Sequence, residues 1–240
     1  MTASMPSSVL QISSDALFDR ELPRYVRDRS RQYWTPVAVA ARVAASFREW
    51  GAGRVLDVGC GPGKFCVVAA CLQPELQFHG IDRRQRLVRL GTRLARRFGA
   101  DNVRLSAGDV TQMQWEHYDG FYFFNPFAES TFEACERFDD TVDLSMVRFG
   151  SELLRVESLL EKASPGTVVV TYHGLGGPIP ASYELVADER AGSDRIRTWV
   201  QGPARSSRWA WLETLGGVRQ LSRRELHDTL SSLICGGKEL

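Results

Sequence analysis

Short apolar runs recur along the chain and alternate with segments of helical periodicity. Such runs are typical of parallel strands buried on both faces, and the segments between them have the spacing of amphipathic helices. The predicted strands cover residues 55–58, 76–81, 103–106, 118–124 and 167–172, and a closing antiparallel pair covers 183–187 and 195–201. The pattern predicts an α/β fold: a doubly wound, Rossmann-like, mostly parallel seven-stranded sheet with an antiparallel final hairpin and helices on both faces.

The segments between the strands divide the chain into four parts. Thr35 is a natural N-cap and Pro36 a natural first-turn residue, so a helix is expected from Pro36 to Trp50. Further helices are predicted at 64–72, 83–98 and 144–163. We expect disorder at 1–14, a helical extension at 15–53, the sheet domain at 54–203, and a C-terminal extension at 204–240 with a helical run at 223–234.

A glycine-rich loop joins the first strand to the next helix. Gly59, Gly61 and Gly63 alternate between the strand that ends at Val58 and the helix that begins at Lys64. Glycine permits positive φ angles and lets a ligand lie against the backbone. The loop therefore predicts a ligand that contacts main-chain atoms.

Polar residues follow the other strands at the same predicted edge of the sheet. Asp82 ends the second strand, where a pair of ribose hydroxyls needs an acceptor. Asp109 follows the third strand after Gly108, and Asn125 follows a strand that is almost continuously aromatic. An amide side chain at the end of so apolar a strand requires a hydrogen-bond partner.

Composition and charge limit the functional classes. The chain has 240 residues, of which 43% are hydrophobic, enough for one α/β domain with a full core. Its net charge is +1, so the overall charge gives no argument for a nucleic-acid or membrane partner. Arginines are concentrated in residues 15–32 and 83–98. These stretches are either solvated basic faces, which is the commoner case, or phosphate-binding surfaces.

Five cysteines, an odd number without a Cys-x-x-Cys pair, predict neither a disulfide framework nor a zinc site. We expect small, mostly buried thiols, a reducing compartment and no metal. The first twenty residues lack the pattern of a signal peptide, and the longest apolar run, Phe65–Leu72, is too short to span a bilayer. A cytoplasmic protein without a membrane partner is expected.

Four of these segments resemble, in order, the motifs of the class I S-adenosylmethionine-dependent methyltransferases. They are Val55–Gly63 for motif I, Ile81-Asp82 for motif II, Gly108-Asp109-Val110 for the adenine-contacting motif, and Phe124-Asn125-Pro126-Phe127 for motif IV. The main alternative is a dinucleotide enzyme with the fingerprint G-x-G-x-x-G. This loop instead reads G-x-G-x-G after Asp57, whose carboxylate would lie where a pyrophosphate belongs. The chain resembles a bacterial-type member of the superfamily with an Asn-Pro-Phe motif IV.

The resemblance implies a set of cofactor contacts. The glycines would line the methionine and ribose parts of S-adenosylmethionine, Asp82 would accept from the ribose hydroxyls, and Asp109 would accept from the adenine amine. Asp57 would lie near the amino group of the methionine. The full set of implied cofactor residues is Tyr33, Thr35, Asp57, Gly59, Gly61, Gly63, Asp82, Arg83, Asp109, Val110 and Asn125. Three of these residues also have a structural interpretation in place of cofactor binding. Asp57 and Asp109 would cap a helix or a turn, and Tyr33 would pack in the core.

The resemblance also implies the catalytic residues. Asn125, the carbonyl of Pro126 and the ring of Phe127 would hold the methyl acceptor, which is predicted to be an amine of a small molecule or a protein. The motif has one proline where the family form has two, which puts methylation of a nucleic-acid base in doubt. Nucleic-acid methylation and a non-catalytic cofactor-binding subunit of a partner enzyme remain alternatives.

Two further features have open interpretations. His173 follows the fifth strand and is either a hydrogen-bonded structural residue, which is the commoner case, or a base. The acidic residues of 128–143, among them Glu129, Glu133 and Asp139, form either a cover that recruits a basic substrate or a solvated surface.

Overall fold

The computed structural model describes residues 12–202, which form a seven-stranded sheet in the order β3-β2-β1-β4-β5-β7-β6. The first five strands are parallel, and β7 runs antiparallel to both of its neighbours. The strands are β1 (Arg54–Val58), β2 (Gln77–Asp82), β3 (Val103–Ala107), β4 (Gly120–Phe123), β5 (Val168–Tyr172), β6 (Tyr183–Ala191) and β7 (Asp194–Gln201). The predicted fold class is confirmed. The strand order reverses between β1 and β4, so ligands are expected at the carboxyl ends of these strands.

Seven α-helices surround the sheet within the described range. They are α1 (Asp15–Asp19), α2 (Arg24–Arg27), α3 (Ser30–Tyr33), α4 (Val37–Glu49), α5 (Lys64–Leu72), α6 (Gln85–Phe98) and α7 (Met146–Glu161). Short 3-10 helices cover Val110–Gln112, Trp115–His117 and Ala128–Thr131. None of the helices in residues 12–202 combines the length and the apolar character that a membrane crossing requires.

The predicted N-cap of α4 is wrong. The cap position is Pro36, whose ring has no atom that can accept a hydrogen bond. The first helical amide, the N–H of Val37, donates instead to Asp15 Oδ1 at 2.9 Å. Thr35 is thereby free to form a buried hydrogen bond with the hydroxyl of Tyr122 at 3.1 Å. A carboxylate from another helix has taken over the capping role.

The core lies on both faces of the sheet, as the continuous apolar strands predict. In β4, Tyr122 packs on one face, whereas Phe121 and Phe123 pack on the other, and all three are fully buried. The face that includes Tyr122 also contains Phe18 of α1 and Val26 of α2. The short N-terminal helices therefore belong to the main hydrophobic core.

A buried lysine joins the N-terminal helices to the helix that follows the glycine loop. Lys64, the first residue of α5, is 2% exposed, and its ammonium lies 2.7 Å from Asp15 and 2.8 Å from Asp19. It also donates to Ser30 Oγ at 3.2 Å. A buried ammonium requires this degree of pairing. The predictions for residues 1–11 and 204–240, including the helical run at 223–234, lie outside the described residues.

Candidate functional site

The glycine loop needs its glycines because neighbouring side chains press against it. Gly59, Gly61 and Gly63 have φ angles of 76°, 55° and 70°. A Cβ on Gly61 would lie 2.3 Å from the ring of Trp34, and one on Gly63 would lie 2.7 Å from Leu105 Cδ1. The close neighbours in the structure are therefore protein atoms. Contact between a ligand and the same backbone stays a prediction.

Asp82 connects the glycine loop to the start of α6. Its Oδ2 accepts from the amide of Gly61 at 3.0 Å, and its Oδ1 accepts from the amide of Arg84 at 2.7 Å. Burial raises the pKa of this carboxyl, and the two amides and the Arg84 charge partly oppose the rise. Each oxygen keeps a lone pair, so the carboxylate can accept further hydrogen bonds from a ligand.

Asp57 lies within the core beneath the loop. It is 4% exposed, and Cys66 Sγ donates to its Oδ2 at 3.4 Å. The pKa of Asp57 is raised to about 7: burial is the main cause, the hydrogen bond from the Cys66 thiol opposes it, and the charge of the nearby Asp82 adds to it. A cation brought close to this carboxyl would favour its ionised form.

A narrow cleft runs along the carboxyl ends of β1, β2 and β4. Its volume is about 60 Å³, well below the roughly 300 Å³ at the lower end of ligand pockets. Six of the predicted site residues line it: Gly59, Asp82, Arg83, Val110, Pro126 and Phe127. The other seven do not: Tyr33, Thr35, Asp57, Gly61, Gly63, Asp109 and Asn125. The cleft thus collects about half of the predicted site residues.

A chain of charged side chains crosses one end of the cleft. Arg83 forms an ion pair with Glu152, which also accepts from Arg148 Nε at 2.9 Å. Arg148 in turn donates to Asp109 Oδ2 at 2.9 Å. Burial opposes the ionised form of Asp109, yet hydrogen bonds from Thr111 and the arginine charges leave its pKa below the ordinary value. Asp109 caps a 3-10 turn, the structural alternative raised by its sequence, and its adenine contact stays a prediction.

The acidic segment 128–143 is not a simple solvated surface. Glu129 is 9% exposed, and its Oε1 lies 2.8 Å from Arg84 Nη2. Arg84 Nε lies 2.8 Å from Asp139 Oδ1, so one arginine binds two separate acids of the segment. The guanidinium also lies over the ring of Phe138 at 5.4 Å. The segment is thereby held against the cleft, whose lining includes Glu129, Ser130 and Val142.

Sequence reasoning missed this framework of charges. Arg84, Arg148 and Glu152 look like ordinary helix-surface residues in the sequence. The available signal is the i, i+4 spacing of Arg148 and Glu152, which favours an ion pair on one helix face. The pairing of Arg84 with Glu129 joins residues 45 positions apart and has no local signal.

The residues before α4 face the acidic segment. The hydroxyl of Tyr33 donates to the carbonyl of Glu136 at 2.7 Å, and its ring packs on Trp34 and Phe138. Burial, followed by the charge of Glu129, raises the pKa of Tyr33 to about 12. Tyr33 and Thr35 thus have protein partners, and their predicted contacts with the cofactor stay predictions.

Asn125 lies at the end of β4 in a strained conformation. Its φ angle is 42°, and its amide donates to the carbonyl of Gly174 at 2.9 Å. Within residues 12–202 its side-chain amide has no hydrogen-bond partner. The next residue, Pro126, packs against the glycine loop, since a Cβ on Gly59 would lie 2.9 Å from Pro126 Cβ. The Asn125 corner therefore adjoins the loop, and its amide is free to bind a ligand.

Comparison with known proteins identifies the domain. A family model described as "Methyltransferase domain" matches residues 51–190. No curated protein sequence matches the chain significantly. Among solved structures, the mitomycin 7-O-methyltransferase MmcR is similar at 15% identity and a TM-score of 0.50, over 83% of this chain and 62% of that one.

Two other solved structures align over most of their own length. One is an RNA methyltransferase from Salinibacter ruber in complex with S-adenosyl-L-homocysteine, at 19% identity and a TM-score of 0.47, over 70% of this chain and 93% of that one. The other is a precorrin-6y C5,15-methyltransferase from Geobacter metallireducens GS-15, at 13% identity and a TM-score of 0.48, over 72% and 92%. The family match covers more than half of the sequence, and the chain belongs to the methyltransferase domain family.

Proposed function

We propose that this methyltransferase transfers the methyl group of S-adenosylmethionine to an amine bound at the Asn125 corner. The observation that carries the proposal is Asn125 itself: a strained residue with an unpaired amide, next to the glycine loop. Strained backbone and unused hydrogen-bonding groups are retained where function needs them. The donor would lie on one side of this corner and the acceptor on the other.

The residues of the cleft fit S-adenosylmethionine in chemical character. Asp82 has lone pairs for the ribose hydroxyls, and Ile81 and Val110 provide apolar surface for an adenine ring. Asp57, buried nearby, suits the cationic amino group of the methionine because a cation lowers its raised pKa. The bound cofactor would supply an electrophilic methyl group on a sulfonium.

The protein's own part in the reaction is to position the acceptor and to exclude water. The side-chain oxygen of Asn125 accepts from an N–H of the amine and directs its lone pair toward the methyl group. Phe127 is 6% exposed and lines the cleft, so it provides an apolar wall and an aromatic surface for a cation. These contacts would orient an amine without forming a covalent bond to it.

A labelling experiment tests the proposal. Tritium from the methyl group of S-adenosylmethionine is followed into an undialysed cell extract, which is then separated into small molecules, nucleic acid and protein. We expect label on amine nitrogen in one fraction. Label in nucleic acid would support the alternative acceptor, and cofactor binding without any label would support a non-catalytic subunit.

Asn125→Gly provides the matched variant, because glycine accepts a φ of 42° without strain while the amide is lost. We expect methyl transfer to fall about 100-fold, the effect of losing one hydrogen bond that acts on the reacting groups. Affinity for S-adenosylhomocysteine should stay unchanged. A variant that instead loses this affinity would place Asn125 in the cofactor site.

A further inference from the structure

His173 has an unusual backbone for its position at the end of β5. Its φ angle is 59°, and in residues 12–202 only Asn125 shares a positive φ among the non-glycine residues. Such strain persists where surrounding structure imposes it, commonly at functional sites. The two strained residues follow neighbouring parallel strands, so they occupy the same edge of the sheet.

Direct contacts join these two positions. The amide of Asn125 donates to the carbonyl of Gly174, the residue after His173, at 2.9 Å. The rings of Phe124 and His173 lie 5.5 Å apart. The imidazole is exposed, so a molecule bound at the Asn125 corner can reach it.

The imidazole is oriented by hydrogen bonds at both nitrogens. Its Nδ1 lies 3.0 Å from Asp194 Oδ2, and its Nε2 lies 3.2 Å from Ser193 Oγ. The serine hydroxyl is also 3.1 Å from the hydroxyl of Tyr172. Because a carboxylate only accepts, Nδ1 carries the proton in the neutral ring and Nε2 is the basic nitrogen.

We propose that His173, oriented by Asp194, is the general base that removes a proton from the methyl acceptor; this inference rests on the proposed function. An acceptor N–H or O–H replaces Ser193 at Nε2. The bond from the acceptor atom to the methyl carbon forms, and the carbon–sulfur bond breaks with its electron pair left on sulfur. The acceptor's proton passes to Nε2, and Asp194 stabilises the resulting imidazolium.

The proposal narrows the acceptor class. A group that already has a lone pair and carries no proton, such as a tertiary amine or a thioether, would gain nothing from this base. A protonated amine has no lone pair and must lose a proton before or during transfer.

The groups that face the His173 ring are Asp194 on β7, Ser193 in the hairpin turn, Tyr172 on β5 and Phe124 after β4. Asp194 is the acid among them.

The test uses His173→Gly, which removes the imidazole and relieves the positive φ. Transfer of tritium from S-adenosylmethionine into the extract fraction labelled by the wild type should fall about 100-fold, within the usual range for general base catalysis. Added imidazole should restore transfer to the variant, and the restored rate should drop at low pH, where imidazole is protonated. The control is His79→Gln in β2, whose ring bonds to Tyr118 and which should transfer at the wild-type rate.

The outcomes separate two failures. Undiminished transfer by His173→Gly, or a loss that imidazole does not rescue although S-adenosylhomocysteine still binds, would overturn the role of His173 and leave the proposed function standing. A wild-type protein that labels no fraction while it binds S-adenosylhomocysteine would overturn the proposed function, and the base with it. Rescue by imidazole is the result that a purely structural histidine would not give.

Discussion

The two halves of the ligand edge differ in how their polar groups are satisfied. At the ends of β1, β2 and β3, Asp57, Asp82 and Asp109 all have hydrogen-bond partners within the protein. At the ends of β4 and β5, Asn125 and His173 have strained backbones, and the Asn125 amide has no partner among the described residues. The first half holds its shape through internal bonds, whereas the second half leaves the Asn125 amide for a substrate and has its polar groups on strained backbone. Substitutions in the first should cost stability, and those in the second should cost methyl transfer.

The largest stability effect is expected where the acidic segment joins the first half. Arg84→Gln leaves Glu129 without its cation and removes the nearer of the two arginines of Asp139, and removing one partner of a buried pair costs about 3–5 kcal/mol. Chemical denaturation measures the loss, and limited proteolysis should cut within 128–144 sooner than in the wild type. Arg86→Gln is the control. The Arg86 side chain is 64% exposed and lies 3.8 Å from Asp139, so its ion pair is longer and more solvated than that of Arg84. Equal effects from the two variants would refute the anchoring role of Arg84.

A smaller loss is expected in the glycine loop. Gly61→Ala places a Cβ 2.3 Å from the Trp34 ring at a φ of 55°, so overpacking should cost about 1–3 kcal/mol. Denaturation gives the stability, and calorimetry with S-adenosylhomocysteine gives the affinity, which should fall together with it. Gly150→Ala in α7 is the matched control, since no atom lies within 4 Å of its Cβ. That variant should be as stable as the wild type or more so. Wild-type stability and affinity in Gly61→Ala would show that the loop and Trp34 move apart at little energetic cost, against this prediction.

The smallest stability effect concerns pH and Asp57. Its pKa of about 7 in the fold exceeds the ordinary value near 3.8, so the folded state binds more protons between these pH values. Raising the pH through this window lowers the free energy of unfolding. Asp57→Asn has no carboxyl that titrates in this window. The free energy of unfolding of the variant minus that of the wild type should therefore rise by on the order of 2 kcal/mol between pH 5 and pH 8. Denaturation at the two pH values measures the change. A constant difference would mean that Asp57 titrates alike in both states.

The strand pattern predicted the sheet because continuous apolar runs require burial on both faces, as Phe121 on one face and Tyr122 on the other show. The motif spacing brought Gly59, Asp82 and Pro126 to one cleft because parallel strands end at a common edge. The partners of Arg84 and the contact of Trp34 with Gly61 depend on how distant segments pack, which local patterns do not encode. The prediction that Thr35 caps α4 was wrong for the same reason, because the capping carboxylate, Asp15, comes from another helix.

Calorimetric titration tests the central claim, that cofactor binding resides in the first half and acceptor chemistry in the second. S-adenosylhomocysteine and NAD are titrated into the wild type, Asp82→Ala and Asn125→Gly. We predict that S-adenosylhomocysteine binds the wild type and Asn125→Gly equally, that Asp82→Ala loses this binding, and that NAD binds none of them. Tight binding of NAD, or equal affinity of S-adenosylhomocysteine for Asp82→Ala and the wild type, would contradict the account.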